Sequence, residues 1–109
     1  MSATPSLPQG EALPLDSLVS PIPQGIASRV LAKAAGGSVT LFSFDAGQGL
    51  SEHSSPFEAL VLVQSGTLTV TVGGTPVEAT PGTVVRLPGG VPHAVDASVA
   101  AQMLLVMLR

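Results

Sequence analysis

The sequence contains no cysteine and no tyrosine. Disulfides, thiolate metal ligands, a cysteine nucleophile and a phenolic proton donor are therefore all excluded. Charge is scarce as well: charged residues make up 10% of the chain and the formal net charge is −3, which leaves no basic surface for nucleic acid or for an anionic membrane. Long apolar runs are missing too. The longest, ALVLV and MLLVML, fall far short of the roughly 20 residues that cross a bilayer. The N-terminal stretch MSATPSLPQGEALPL lacks the basic segment and apolar stretch of an export leader. These absences point to a soluble, cytoplasmic protein with neither a nucleic-acid nor a membrane partner. No periodicity supports a long amphipathic helix.

What is present reads as one all-β domain over residues 1–109, with an arm at 1–25 and a β-barrel at 26–109. Five of the ten prolines fall in the first 25 residues, where they remove backbone donors and fix φ. The spacing of Leu13, Leu15, Leu18 and Ile22 predicts that this arm lies against the body. From Ile26 onward, short runs of Val, Thr, Leu and Phe are punctuated by Gly and Pro. Strands are predicted at 28–34, 38–45, 58–64, 67–72, 75–79, 83–87, 92–96 and 101–108. Turns are predicted at Gly36–Gly37, Ser65–Gly66, Gly73–Gly74 and Pro81–Gly82. TLTVTV alternates strictly, placing Thr67, Thr69 and Thr71 on a wet face and Leu68, Val70 and Val72 on a dry one. ALVLV and MLLVML are apolar on both faces and need cover twice, inside the barrel and outside by the arm or a second subunit. A homodimer is the economical expectation.

Two glycine-anchored patterns place two histidines forty positions apart. Gly47 precedes His53 by a five-residue gap, with a strand from 58 and a turn glycine at 66. Gly82, Pro88, Gly90 and His93 follow one another in GTVVRLPGGVPH. Together these resemble the two motifs of small single-domain cupins of the RmlC-like superfamily. The resemblance implies a double-stranded β-helix, a jelly-roll barrel of two packed antiparallel sheets. It also implies a metal-ligand set of three histidines and a glutamate, for which this chain offers His53, Ser55, Ala59 and His93. Two of those four are not ligands. Glu58 is adjacent to the glutamate position, but side chains alternate along a strand, so if Ala59 faces inward Glu58 faces out unless a bulge rotates it.

Three readings remain open. In the first, a small molecule binds in the barrel around His53 and His93, with Ser55 and Gln48 as further ligand-binding residues and a metal optional. In the second, a divalent ion (Mn, Fe, Ni or Zn) is held by His53 and His93 with an atypical third donor drawn from Gln48, Glu52 or Ser55, supporting oxygenase or isomerase chemistry. In the third, the chain is a structural or regulatory dimer without catalysis. Asp45 and Asp96 are the candidate carboxylates for orienting an imidazole in metal-free acid–base chemistry. Phe42, Phe44 and Phe57 are expected mainly as core filling, and Met103 and Met107 as packing residues. Arg86 is expected on the outer face, its stem over apolar surface.

Overall fold

The computed structural model describes residues 6–109; the first five residues of the arm lie outside it. Among the described residues the strands are β1 (Ile26–Ala34), β2 (Gly37–Phe44), β3 (Gly49–His53), β4 (Glu58–Ser65), β5 (Leu68–Val72), β6 (Thr75–Ala79), β7 (Val84–Leu87), β8 (His93–Asp96) and β9 (Ala101–Leu108). They form a five-stranded sheet in the order β1-β2-β9-β4-β7 and a four-stranded sheet in the order β3-β8-β5-β6. All pairings are antiparallel. Two such sheets packed face to face make the double-stranded β-helix that the resemblance implies. No helix among the described residues is long and apolar enough to cross a membrane.

Register decides which side chains meet. In the five-stranded sheet, Met103 lies between Phe42 and Val63, and Leu105 lies between Thr40 and Val61. These rows face the four-stranded sheet, whose Leu68, Val70 and Val95 complete a common core with Phe44, Ala59, Leu87 and Met103. Each fully buried Leu, Val, Phe or Met in it stabilises the fold by roughly 1.5–3 kcal/mol relative to exposure. The intervening rows face outward: Leu104 lies between Leu41 and Leu62, and Val106 between Val39 and Leu60.

Three local expectations are corrected. β3 was not among the predicted strands, because GLSEH is poor in the β-branched and aromatic residues that mark strands. The turn between β1 and β2 uses Ala35 and Gly36, neither with positive φ; Gly37 instead begins β2, pressed against the Met107 carbonyl where a Cβ has no room. By contrast, Gly73 (φ 58°) and Gly74 (φ 84°) form the two-residue turn between β5 and β6 that needs positive φ at both positions. In the N-terminal segment the buried residue is Val19, while Ile22 stays 46% exposed.

The outer face of the five-stranded sheet is covered unevenly. Leu41 faces outward by register yet is fully buried. Arg29, directly opposite it on β1, donates from Nη1 to the Leu18 carbonyl at 3.2 Å. Further along this face Gln102, 8% exposed, reaches the Asp16 carbonyl from Nε2 at 3.5 Å, and its Oε1 is buried without a hydrogen-bond partner. An unsatisfied buried acceptor costs about 1–3 kcal/mol. Gln102→Leu is therefore expected to raise the unfolding free energy by about 1 kcal/mol, visible as a higher Tm; a lower Tm would show that the long bond to Asp16 outweighs the orphaned carbonyl.

Candidate functional site

The site begins with a break in strand alternation. β8 pairs with β5 so that His93 sits opposite Val72 and Val95 opposite Val70, all facing the core. On β3, Leu50 pairs with Val95 and faces inward with it. His53 lies three residues after Leu50, so unbroken alternation would turn it outward. It does not turn outward. The register shifts between Leu50 and His53, one extra residue is accommodated at Ser51–Glu52, and His53 comes to pair with His93 on its inner side. A bulge of this kind re-aims a side chain at the expense of local ladder regularity.

The two rings meet edge to face, with centroids 4.4 Å apart, an interplanar angle of 70° and an Nε2···Nε2 distance of 3.1 Å. His93 is buried and His53 is solvent-exposed, so the pair runs from the interior to the rim. Each Nδ1 lies near the backbone carbonyl two residues earlier: His53 to Ser51 O at 2.8 Å, His93 to Val91 O at 3.3 Å. The shorter contact assigns His53 as the Nδ1–H tautomer, which leaves its Nε2 a bare acceptor. His93 then supplies the proton between the rings as Nε2–H, with its own Nδ1 only loosely engaged. When an electron-pair acceptor enters, His93 can shift to Nδ1–H on Val91 O, and both Nε2 lone pairs become available to the newcomer.

The other sequence-predicted residues are distributed as follows. Ser55 lies beside the pair in the chain; its Oγ accepts from Phe57 N–H at 3.2 Å and its carbonyl accepts from Gly90 N–H at 2.7 Å. Gln48 is at the opposite end of the ladder, where its carbonyl accepts from Ala97 N–H at 2.9 Å. At about 3.3 Å per residue its backbone is roughly 15 Å along β3 from His53. Asp45 is occupied by the Gln24 and Ala46 amides at 2.6 and 2.9 Å. Asp96, three residues after His93, faces the other side of β8. Neither aspartate orients an imidazole; the carbonyls of Ser51 and Val91 do, and no side-chain signature announces them. Ala59 is buried and inward, and Glu58 is outward, as alternation requires. Glu58 accepts two bonds from Arg86, at 2.8 and 2.9 Å. This guanidinium holds the Glu58 carboxyl below its ordinary range, and the Arg86 guanidinium is raised in turn by the carboxylate. Phe42 and Phe44 lie within or against the core, whereas Phe57 is 37% exposed beneath the Arg109 guanidinium.

Two cavities of about 540 and 290 Å³ lie elsewhere, the larger beside Asp16, Gln64 and Gln102 and the smaller along the β1–β2 hairpin, Val106 and Leu108. Neither is lined by the imidazoles.

Two nitrogens bound to one ion at about 2.1 Å lie roughly 3.0–3.4 Å apart for cis angles near 90–110°. The observed Nε2 separation fits such a chelate. A third protein donor is missing: among the described residues no group of three or more His, Cys, Asp or Glu is placed to hold a metal. The donor set thus suits an exchangeable ion completed by water or ligand oxygens, and does not fit the three- or four-ligand protein shell of a resident metal cofactor.

The family model for the cupin domain matches residues 40–108, which include both histidines. The chain belongs to the cupin family. Among solved structures, it is 33% identical to a conserved protein of unknown function from Streptococcus pyogenes, covering 100% of this chain and 96% of that one with a TM-score of 0.89. A cupin superfamily protein from Desulfitobacterium hafniense is 28% identical over 98% of each chain, with a TM-score of 0.88. At 13% identity and a TM-score of 0.73, a predicted oxalate decarboxylase from Thermotoga maritima shares the fold, covering 76% of this chain and 79% of that one. No curated protein matches the sequence.

In this cupin the bulge reconciles the chain spacing with the pairing of the two imidazoles, so removing the extra residue has a defined outcome. Deleting Glu52 removes the extra residue and leaves His53 two positions after Leu50, so regular alternation itself directs the imidazole inward, opposite His93. Ring-to-ring nuclear Overhauser contacts between the two histidines are expected to persist along with the strand signature in circular dichroism; their loss would mean that the bulge geometry, and not residue parity, aims His53.

Proposed function

We propose that this cupin binds a small molecule at the rim of its barrel through the paired imidazoles of His53 and His93, with the Ser55 hydroxyl as the neighbouring polar group. The observation that carries this reading is the 3.1 Å approach of two Nε2 atoms, which share one proton between them at rest. Inward positions along the adjoining strands are Leu50, Ala59, Val61, Val72, Val85 and Leu87, none of them charged. A ligand suited to this wall is largely apolar with a single oxygen-bearing head, such as a hydroxyl, an enol or a protonated carboxyl. An ionised carboxylate would find no counter-charge there and would be costly to desolvate. Gln48 plays no part in this reading.

A second reading is favoured by the same distance. Manganese, iron, nickel or zinc can be chelated by the two Nε2 atoms, the ligand's own oxygens filling further positions. In both readings the chain's residues do the same work: they hold or release one proton at Nε2 and present two nitrogens to one incoming group.

Thermal shift on untagged protein separates these readings. Wild type is expected to gain about 2.7 kcal/mol when ligand stands at 100 times its Kd, and His53→Ala should lose that gain. Ions that stabilise wild type and His53→Ala equally are not bound by the pair. If substituting both histidines changes neither binding nor phenotype, the chain is a structural or regulatory dimer.

The reading includes a homodimer. The outward faces of Leu60, Leu62, Leu104 and Val106 are only half-buried, and Val84 beside them is 59% exposed. A contiguous apolar face of this kind is characteristic of an interface between copies. Sedimentation at micromolar concentration is expected to give a dimer, and Leu62→Asp a monomer with the histidine pair intact; a monomeric wild type would refute the assembly.

A further inference from the structure

The imidazoles sit on two loops as well as on two strands. Residues 54–57 follow His53 and residues 88–92 precede His93, and the two segments are stitched together. Gly90 N–H donates to Ser55 O at 2.7 Å. Beside that bond, Gly89 rests on the opposing backbone: a Cβ at this position would stand 2.6 Å from Pro56 O and 3.2 Å from Pro56 C. Behind it, the Glu58 carboxylate held by Arg86 lies 3.5 Å from Gly89 N. The far flank of the same loop is fixed too, since Gly73 N–H donates to Pro92 O at 2.8 Å.

Gly89 does not adopt a positive φ, whereas its neighbour Gly90 does, at 79°. The two glycines therefore serve different ends. Gly90 supplies a backbone conformation that a side chain would strain, and nothing lies within 4 Å of a Cβ placed there. Gly89 supplies closeness, its backbone being one that any residue adopts. A methyl group at Gly89 acts as a wedge between the loops, and the anchor of Pro92 on Gly73 restrains the loop on its far flank.

We propose that Gly89 is a positioning residue, whose contact with Pro56 sets the distance between the imidazoles of His53 and His93. The inference rests on the reading that those two rings form the ligand site, and it adds a residue that lies outside the glycine–proline–histidine motif.

The test is the ring-proton nuclear Overhauser contact between His53 and His93 in the ligand-free, full-length protein, together with the nitrogen shifts of both rings. Wild type is expected to show the contact, and Gly89→Ala to lose it with both rings moving toward free-imidazole shifts. Gly90→Ala is expected to keep the contact although its strained φ lowers Tm. Retention of the wild-type pattern in Gly89→Ala overturns the proposal, as does an equal loss in Gly90→Ala, which would assign the effect to loop strain in general. Should Gly89→Ala fail to fold, Pro56→Ala carries the test: it adds no atom but frees the wall on which Gly89 rests, and an undiminished ring contact there also overturns the proposal. A wild type without the contact overturns both the pairing and the inference. A pair that responds to the wedge yet binds nothing in thermal shift leaves the positioning role standing and removes only the function.

Discussion

Strict alternation along a strand is the constraint from which this site departs, and the departure costs the ladder one residue's regular pairing. Leu50 and His53 are an odd number of positions apart, yet both face the core side of their sheet. Only an inserted residue reconciles those two facts. A regular β3 would keep its hydrogen bonds, send the imidazole of His53 to the far side and bring Glu52 opposite His93 in its place. The bulge at Ser51–Glu52 gives up regular pairing there and gains the Ser51 carbonyl as an acceptor for His53 Nδ1 at 2.8 Å. The element that distorts the strand thus also selects the tautomer. Direction and proton placement come from one backbone irregularity.

The same alternation organises the rest of the barrel. Every second residue of β4 and β9 enters the core and their central outward residues form an apolar face, which explains why ALVLV and MLLVML are apolar on both sides. At one end of that face, near Leu41, segment 15–19 supplies carbonyls to Arg29 and Gln102 and a buried Val19. At the other end, around Leu62, Leu104 and Val84, no described segment supplies comparable contacts. Polar residues occupy the first end, with Ser43 and Gln102 paired in register. Cover by an irregular segment that turns its Asp16 and Leu18 carbonyls toward the sheet suits donors such as the Arg29 guanidinium and the Gln102 amide. Cover by another sheet face suits an unbroken aliphatic surface.

How much of this is legible in the sequence depends on whether the information is carried by side chains. The Thr–Leu/Val alternation of β5, the outward direction of Glu58 and Arg86 and the burial of Ala59 and Met103 all follow from residue type and strand parity. The meeting of His53 with His93 follows instead from the resemblance that the spacing of glycines, Pro88 and the two histidines carries, since parity alone turns His53 outward. β3 escapes because Gly, Ser, Glu and His are weak strand formers, and it is held by its neighbour β8 more than by its own propensity. The bulge leaves one trace, the odd separation of Leu50 from His53, which has meaning only once Leu50 is known to face inward. The Nδ1 acceptors leave no trace, since a carbonyl two residues back belongs to any amino acid. Aspartates were therefore the visible candidates for that role, and register assigns them elsewhere.

Charge explains why such a reduced donor set is compatible with a stable barrel. A ligand set with an inward glutamate places a carboxylate in a low-dielectric interior, where it must be met by a cation or a proton. Here Ala59 occupies that position and is buried among aliphatic neighbours, so no interior charge demands neutralising. The remaining polar groups satisfy one another: His93 donates to His53, and His53 donates to Ser51. The pair is thus closed at rest. In the proposed reading, an incoming ligand would replace an N–H···N bond worth about 0.5–1.5 kcal/mol and in return receive two nitrogens already aligned on one point. That exchange favours ligands able to engage both nitrogens at once. A group that meets only one lone pair leaves the other unsatisfied and gains little over the resting contact between the two rings.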